Sequence, residues 1–170
     1  MSANVRAADS SDAAQIAGVH VRSWQVAYRG QLPDEMLDRL DIEARTRSWH
    51  QLLTGRTTTV LVASRNGAVI EGFVATGPSR DHDAAPDVGE VYAIYVEPEV
   101  WGSGLGSALL DAAVDELSTC YRTATLGVLR SNVRTRRFYE HHGWRPDGSS
   151  KVDDRGELQL DEIRYRTELP

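Results

Sequence analysis

Residues Ile16, Val19, His20, Trp24, Ala27 and Tyr28 recur at the three-to-four-residue spacing of one helix face. Asp12-Ala-Ala-Gln15 ahead of them reads as a capping box, whose end side chains satisfy the orphan N–H groups of a helix start. Gly30 and Pro33 stop this helix. A short strand is predicted before it, near Val5–Ala7. A second helical stretch is predicted over Asp34–Leu53, broken near Asp41 and ended by Gly55. From there the period shortens to two. Thr57–Ala63 is β-branched and apolar. Asn66-Gly67 follows it, a hairpin signal because both residues of the tight turn need positive φ. Ala68–Thr76 is the return strand, and Gly77–Asp87 is a polar loop with Pro78 and Pro86. Val88–Val96 is apolar on both faces, the mark of a buried central strand, and Pro98 closes it.

The second half alternates between the two periods. After the turn Trp101-Gly-Ser-Gly-Leu-Gly106, the stripe Leu105, Ala108, Leu109, Ala112, Ala113, Leu117 predicts a helix. Thr123–Leu129 is a strand, and Asn132–His142 a helix stopped by Gly143. From Trp144 come a strand, a polar turn near Asp153–Gly156, and a last strand Glu157–Thr167 with one solvated face. The order β-αα-ββ-β-α-β-α-β-β sets antiparallel hairpins beside strand–helix–strand crossovers. It predicts an α/β (α+β) mixed sheet, mostly antiparallel, with helices on both faces, and not a pure doubly wound fold.

Composition narrows the function. The 170 residues read as a single domain, 1–170. A net charge of −6 argues against nucleic acid as a partner and for a cationic or neutral ligand. No run approaches the ~20 apolar residues of a membrane helix, and Met1–Asp12 has no apolar signal region. The single cysteine, Cys120, fits a reducing cytoplasm; it ends a helix and reads as a packing residue. The five histidines show no metal-ligand spacing, so no metal is expected.

Chemistry concentrates in Val91–Leu110. Gly102, Gly104 and Gly106 follow a buried strand and open a helix. Such glycines bring backbone N–H groups close to a ligand, and a helix start favours an anion such as a pyrophosphate. The alternative is a tight turn with no ligand. The segment argues against a nucleotide P-loop, because no Lys-Ser/Thr follows the last glycine. The G-x-G-x-G spacing, and the three strands ahead of the buried strand that feeds it, also argue against a dinucleotide fingerprint.

Glu90-Val-Tyr-Ala-Ile-Tyr-Val96, Pro98, Trp101-Gly-Ser-Gly-Leu-Gly106 and Ala108-Leu-Leu110 together resemble the acetyl-CoA motif of the GNAT superfamily of N-acetyltransferases. Asn132-Val-Arg-Thr-Arg-Arg-Phe-Tyr-Glu-His-His-Gly-Trp144 resembles that superfamily's Asn…Phe-Tyr-Glu…Gly-Phe helix. The opening Val5-Arg-Ala-Ala…Asp12-Ala and the stretch His20…Trp24…Ala27-Tyr-Arg-Gly30 resemble one of its bacterial branches. The resemblance spans nearly the whole chain. It implies the GNAT fold and acetyl-CoA as co-substrate, held by Ile94, Tyr95, Val96, Trp101, Gly102, Ser103, Gly104, Leu105, Gly106, Ser107, Asn132, Arg137 and Phe138. Trp101 stands where the family has Gln or Arg, a position that mainly offers its backbone N–H.

The implied reaction is acetyl transfer to a primary amine, of a small molecule or of a protein or peptide; the class allows a homodimer. An alkyl amine with a pKa of ~10 must lose a proton before it attacks, so a base is required. Glu90 shares a strand face with Tyr92, Ile94 and Val96, and it stands eleven residues before Trp101, the offset of the base in histone-acetylating relatives. It reads either as that base or as a solvated acid at a strand start. Tyr139 shares a helix face with Thr135, Phe138 and His142; it reads as the general acid of the family helix or as a core aromatic. Asn132 resembles the pantetheine contact and also suits a helix N-cap. The resemblance places an oxyanion donor near Tyr95–Val96. Among Arg130, Arg134, Arg136 and Arg137, one or two meet cofactor phosphates or all line a solvated face. Trp24, Tyr28, Arg29 and Tyr92 are the candidate substrate wall, with Trp24 also fitting the core stripe. The rival reading is a non-catalytic acyl-CoA-binding or regulatory module on the same fold.

Overall fold

The computed structural model describes residues 3–155 and 158–170. The elements are β1 (Asn4–Ala7), α1 (Ala13–Ala27), α2 (Asp34–Asp38), α3 (Ile42–Thr54), β2 (Thr59–Ser64), β3 (Gly72–Pro78), β4 (Val88–Val96), α4 (Leu105–Ser118), β5 (Thr123–Leu129), α5 (Val133–His141), β6 (Arg145–Arg155) and β7 (Leu158–Glu168). The strands join in the hydrogen-bonded order β1-β2-β3-β4-β5-β7-β6. β4 and β5 run parallel, whereas β1–β2, β2–β3, β5–β7 and β6–β7 are antiparallel, which is the mixed sheet that the sequence predicts. Of the polar turn predicted at Asp153–Gly156, Gly156 lies outside the described residues, as does Glu157, the predicted start of the last strand.

The contacts divide the chain into two compact units, Met1–Gly77 with Ala93–Ala113, and Pro78–Tyr92 with Val114–Pro170. In the first, Ile16, Val19, Leu37, Phe73 and Leu109 are fully buried. Gly72 is required there, because a Cβ on it would come within 2.9 Å of Leu109 and 3.1 Å of the Tyr95 carbonyl. In the second, β7 pairs with both β5 and β6 over a core that includes Leu117, Leu126, Trp144 and Tyr165. The β6–β7 register shifts between Pro146 and Ser150, around Gly148 at φ +89°. The parallel β4–β5 register runs Val88–Thr123, Gly89–Ala124 and Glu90–Thr125. Glu90 therefore closes that paired stretch, and β4 continues to Val96.

Two local readings are corrected. The capping box is not Asp12–Gln15. Asp9 is the N-cap of a short 3₁₀ turn, Ser10–Asp12, with Asp12 reciprocating, and α1 follows that turn. Gln15 instead accepts the Ile70 N–H across a 3.0 Å bond. The Asn66-Gly67 turn is also not the two-residue hairpin, since Gly67 is at φ +78° but Asn66 is not positive. Asn66 Oδ1 accepts the Ala68 N–H and Ser64 Oγ accepts the Gly67 N–H. These side-chain bonds widen the loop, and β3 begins at Gly72 rather than Ala68.

Asp12 fastens the entry to α1. Its carboxylate accepts both Arg6 nitrogens, at 2.7 and 2.9 Å, and the Asp9 N–H at 2.9 Å. The Arg6 hydrogen bond, partly opposed by burial, holds Asp12 below its ordinary carboxylate range. A depressed folded value contributes stability above the unfolded pKa of about 3.9 and loses it as pH falls through the folded value. Asp12→Ala is therefore expected to cost about 1–3 kcal/mol at neutral pH. Thermal unfolding of the two proteins should converge as pH falls through the carboxylate's lowered value; a gap unchanged by acid would refute the pairing.

Candidate active site

The glycine turn belongs to the first unit. A 3₁₀ turn, Pro98–Val100, leads from β4 into it. Gly102 and Gly104 sit at φ +82° and +88°, conformations that L side chains rarely adopt, and a Cβ on either would meet no atom within 4 Å. The space beside the backbone there is open. The α4 ladder begins with Ala108 N–H to Gly104 O at 3.0 Å, so the N–H groups of Leu105, Gly106 and Ser107 precede it at the positive end of the helix dipole. The Trp101 backbone N–H donates to the Pro98 carbonyl at 3.2 Å. Its indole N–H donates to the Val96 carbonyl at 2.8 Å. Trp101 thus pins the turn to the end of β4.

An aromatic cluster fills the same unit. Tyr95 stacks on His20 at 5.2 Å and 14°. Trp24 stands edge-on to Tyr28, at 4.9 Å, and to His20 and Tyr95. Trp49 donates its indole N–H to His20 Nδ1 at 3.1 Å. An indole nitrogen only donates, so His20 Nδ1 is the acceptor in this bond. Trp24 and Tyr28 of the predicted substrate wall are together, and Trp24 is buried in the core. Arg29 is engaged locally, with Asp34 at 3.2 Å and Asp38 at 3.0 Å.

Glu90 lies in the second unit and is 3% exposed, so it is not a solvated acid at a strand start. Its Oε1 accepts Arg80 Nη2 at 2.7 Å and its Oε2 accepts the Arg80 backbone N–H at 2.7 Å. The Arg80 guanidinium also stands 4.0 Å from the centre of the Tyr92 ring. Burial pulls the Arg80 guanidinium down, but the Glu90 bond and charge outweigh it and the net shift is upward. Burial and the neighbouring Glu90 charge raise the Tyr92 phenol. Tyr92 therefore stays a donor, and its hydroxyl reaches the Pro78 carbonyl at 2.5 Å. The loop beyond Arg80 is tied to β7, where Arg164 bonds Asp83 at 2.7 Å and Asp81 at 3.2 Å.

α5 carries the remaining predicted residues of this unit. Asn132 is its N-cap, accepting the Thr135 N–H at 3.2 Å. Tyr139 is 5% exposed, with its ring among Phe138, Trp144 and Tyr165. Arg136 donates to the Tyr165 hydroxyl and Arg130 pairs with Asp161, whereas Arg137 is exposed. Cys120, predicted to pack, is exposed, because the turn after α4 carries it outward. Among the described residues no His, Cys, Asp and Glu group is arranged to hold a metal, and no helix is long and apolar enough to cross a membrane.

Sequence reasoning missed Arg80, which sits in a loop with no periodicity to mark it. It also missed the bond between His20 and Trp49, residues 29 positions apart.

Known proteins share this sequence and this fold. The family model described as "Acetyltransferase (GNAT) family" matches residues 19–144. The uncharacterized N-acetyltransferase YuaI of Bacillus subtilis is 36% identical over 107 residues, covering 62% of this chain and 59% of that protein. An uncharacterized N-acetyltransferase of Archaeoglobus fulgidus is 34% identical over 137 residues, 79% of this chain and 88% of that protein. The structure of YncA from Salmonella typhimurium, solved with acetyl-CoA, superposes with a TM-score of 0.71 at 24% identity, over 100% of this chain and 95% of that one. The chain belongs to the GNAT family and carries its acetyl-CoA-dependent N-acetyltransferase domain.

Proposed function

We propose that this chain transfers the acetyl group of acetyl-CoA directly to a primary amine, with Glu90 as general base and Tyr139 as general acid. The observation that carries the reading is the buried Glu90 carboxylate at the end of the β4–β5 pairing. Acetyl-CoA supplies the activated acetyl thioester. The open backbone at Gly102 and Gly104 and the N–H groups of Leu105, Gly106 and Ser107 suit its pyrophosphate. Exposed Arg137 is suited to a phosphate oxygen, and Asn132 and Phe138 are the candidates for the pantetheine arm. Ile94, Tyr95 and Val96 supply backbone for the thioester, including the N–H that would receive growing negative charge. A carboxylate offers about four acceptor sites, and a lone pair on Glu90 takes the amine's proton. Tyr28 and Tyr92 are the candidate acceptor contacts. The single exposed thiol, Cys120, fits a reducing compartment such as the cytoplasm.

Tyr139→Phe tests the acid. Tyrosine at pKa ~10 protonates a thiolate of ~8.5 uphill by about 2 kcal/mol, and thiolate also departs unaided. The expected outcome is a partial loss of kcat, ~10–10³, with acetyl-CoA affinity little changed. If kcat holds while Tm falls, Tyr139 serves the core alone.

A further inference from the structure

The Glu90 side chain is 5% exposed and that of Arg80 is 61% exposed, so the guanidinium covers the carboxylate on its water side. Oε1 and the Tyr92 ring face together make a cation site, and the cation in it is the chain's own arginine. Oε2 is held separately, by the Arg80 backbone N–H, a bond that does not involve the side chain. The guanidinium can therefore swing out on its stem while the loop stays fastened. Tyr92 holds the Pro78 carbonyl, and Arg164 holds Asp81 and Asp83.

Electrostatics decides what can take its place. A buried carboxylate stripped of its partner is an uncompensated charge, and breaking such a pair is strongly destabilising. Arg80 leaves only in exchange for another cation. With acetyl transfer to an amine as the reaction, on which this step rests, the geometry points to Oε1 of Glu90 and the Tyr92 face as the subsite for the acceptor's ammonium, filled at rest by Arg80 as an internal stand-in. The acceptor is then a cationic alkyl amine. Arylamines, neutral at working pH, and acceptors with an acidic group beside the amine do not exchange with the guanidinium.

The probe is n-butylammonium chloride. In Arg80→Ala it raises Tm saturably, and n-butanol does not. Its apparent affinity for the wild-type chain is weaker by roughly ten-fold or more, because it binds only the fraction of molecules with Arg80 displaced. Adding Glu90→Gln to Arg80→Ala removes the response. With acetyl-CoA present, Arg80→Ala lowers KM for n-butylamine by a similar factor. Should Arg80→Ala fail to fold, Arg80→Gln keeps a donor toward Glu90 without the charge. In the wild-type chain the same titration perturbs the Arg80 guanidinium NMR resonances. Equal binding by variants and wild type, an equal response to n-butanol, or unperturbed Arg80 resonances at saturation would overturn the subsite even where acetyl transfer proceeds. Glu90-dependent ammonium binding without acetylation of any amine would leave the subsite standing and remove the acetyl-transfer reading.

Discussion

Glu90→Gln is expected to lower kcat by ~10²–10⁴ near neutral pH. At pH 7 only about one alkyl amine in a thousand is neutral if its pKa is ~10. A carboxylate that takes the proton in place removes that handicap, and an amide cannot. The neutral fraction grows tenfold with each pH unit, so the deficit of the variant should shrink as pH rises. The protein should still fold. The glutamine carbonyl can accept one of the two Arg80 bonds, and the lost charged hydrogen bond costs about 1.5–3 kcal/mol. Rate profiles across pH, with circular dichroism as the folding control, decide the matter. A loss that does not change with pH would make Glu90 a binding residue, and an unchanged rate would move the base elsewhere.

Gly104→Val is expected to abolish stabilisation by acetyl-CoA. In the wild-type chain, ligand at 100 times its Kd adds about 2.7 kcal/mol. For a chain of this size, that is a rise in Tm of roughly 5–11 °C. A β-carbon on Gly104 meets no protein atom within 4 Å, so it enters open space rather than the fold. Its cost there is the left-handed φ of +88°, about 1–2 kcal/mol. The side chain would instead fill the open space that a pyrophosphate needs to reach the N–H groups. Gly148→Val is the control, because Gly148 has φ +89° and equally open surroundings on β6. It should lower Tm comparably and keep the acetyl-CoA response. A Gly104→Val protein that keeps the full response would remove the turn from the binding site.

The sequence was most legible where a period of two or of 3.6 was bounded by residues that end an element. β4 and β5 fall at Val88–Val96 and Thr123–Leu129, the predicted limits, and Asp41 caps α3 at the predicted break. It was misleading where a side chain competed for backbone groups. Asn66 and Ser64 turned a two-residue hairpin into a wider loop, and Asp9 took the capping role given to Asp12. The backbone of the glycine turn was readable from its glycine spacing, and the burial of Glu90 from its place on a strand apolar on both faces. Arg80 was not, because its role depends on a loop folding back ten residues to Glu90 and its ring contact with Tyr92, which no period encodes. The indole of Trp101 likewise acts through a bond to Val96 that its position in the motif does not suggest.

Amine-dependent acetyl transfer is measured most directly by the release of CoA thiol from acetyl-CoA. The wild-type chain is to be incubated with acetyl-CoA and a panel of alkyl diamines, polyamines, amino acids, arylamines and peptide N-termini, with mass spectrometry of each acceptor. The expected result is thiol release above the hydrolysis rate, matched by acetylated product, greatest for the cationic alkyl amines and strongly reduced in Glu90→Gln. Acetyl-CoA binding with no amine-dependent thiol release across the panel would contradict the account and leave a module that binds the acyl-CoA without turning it over.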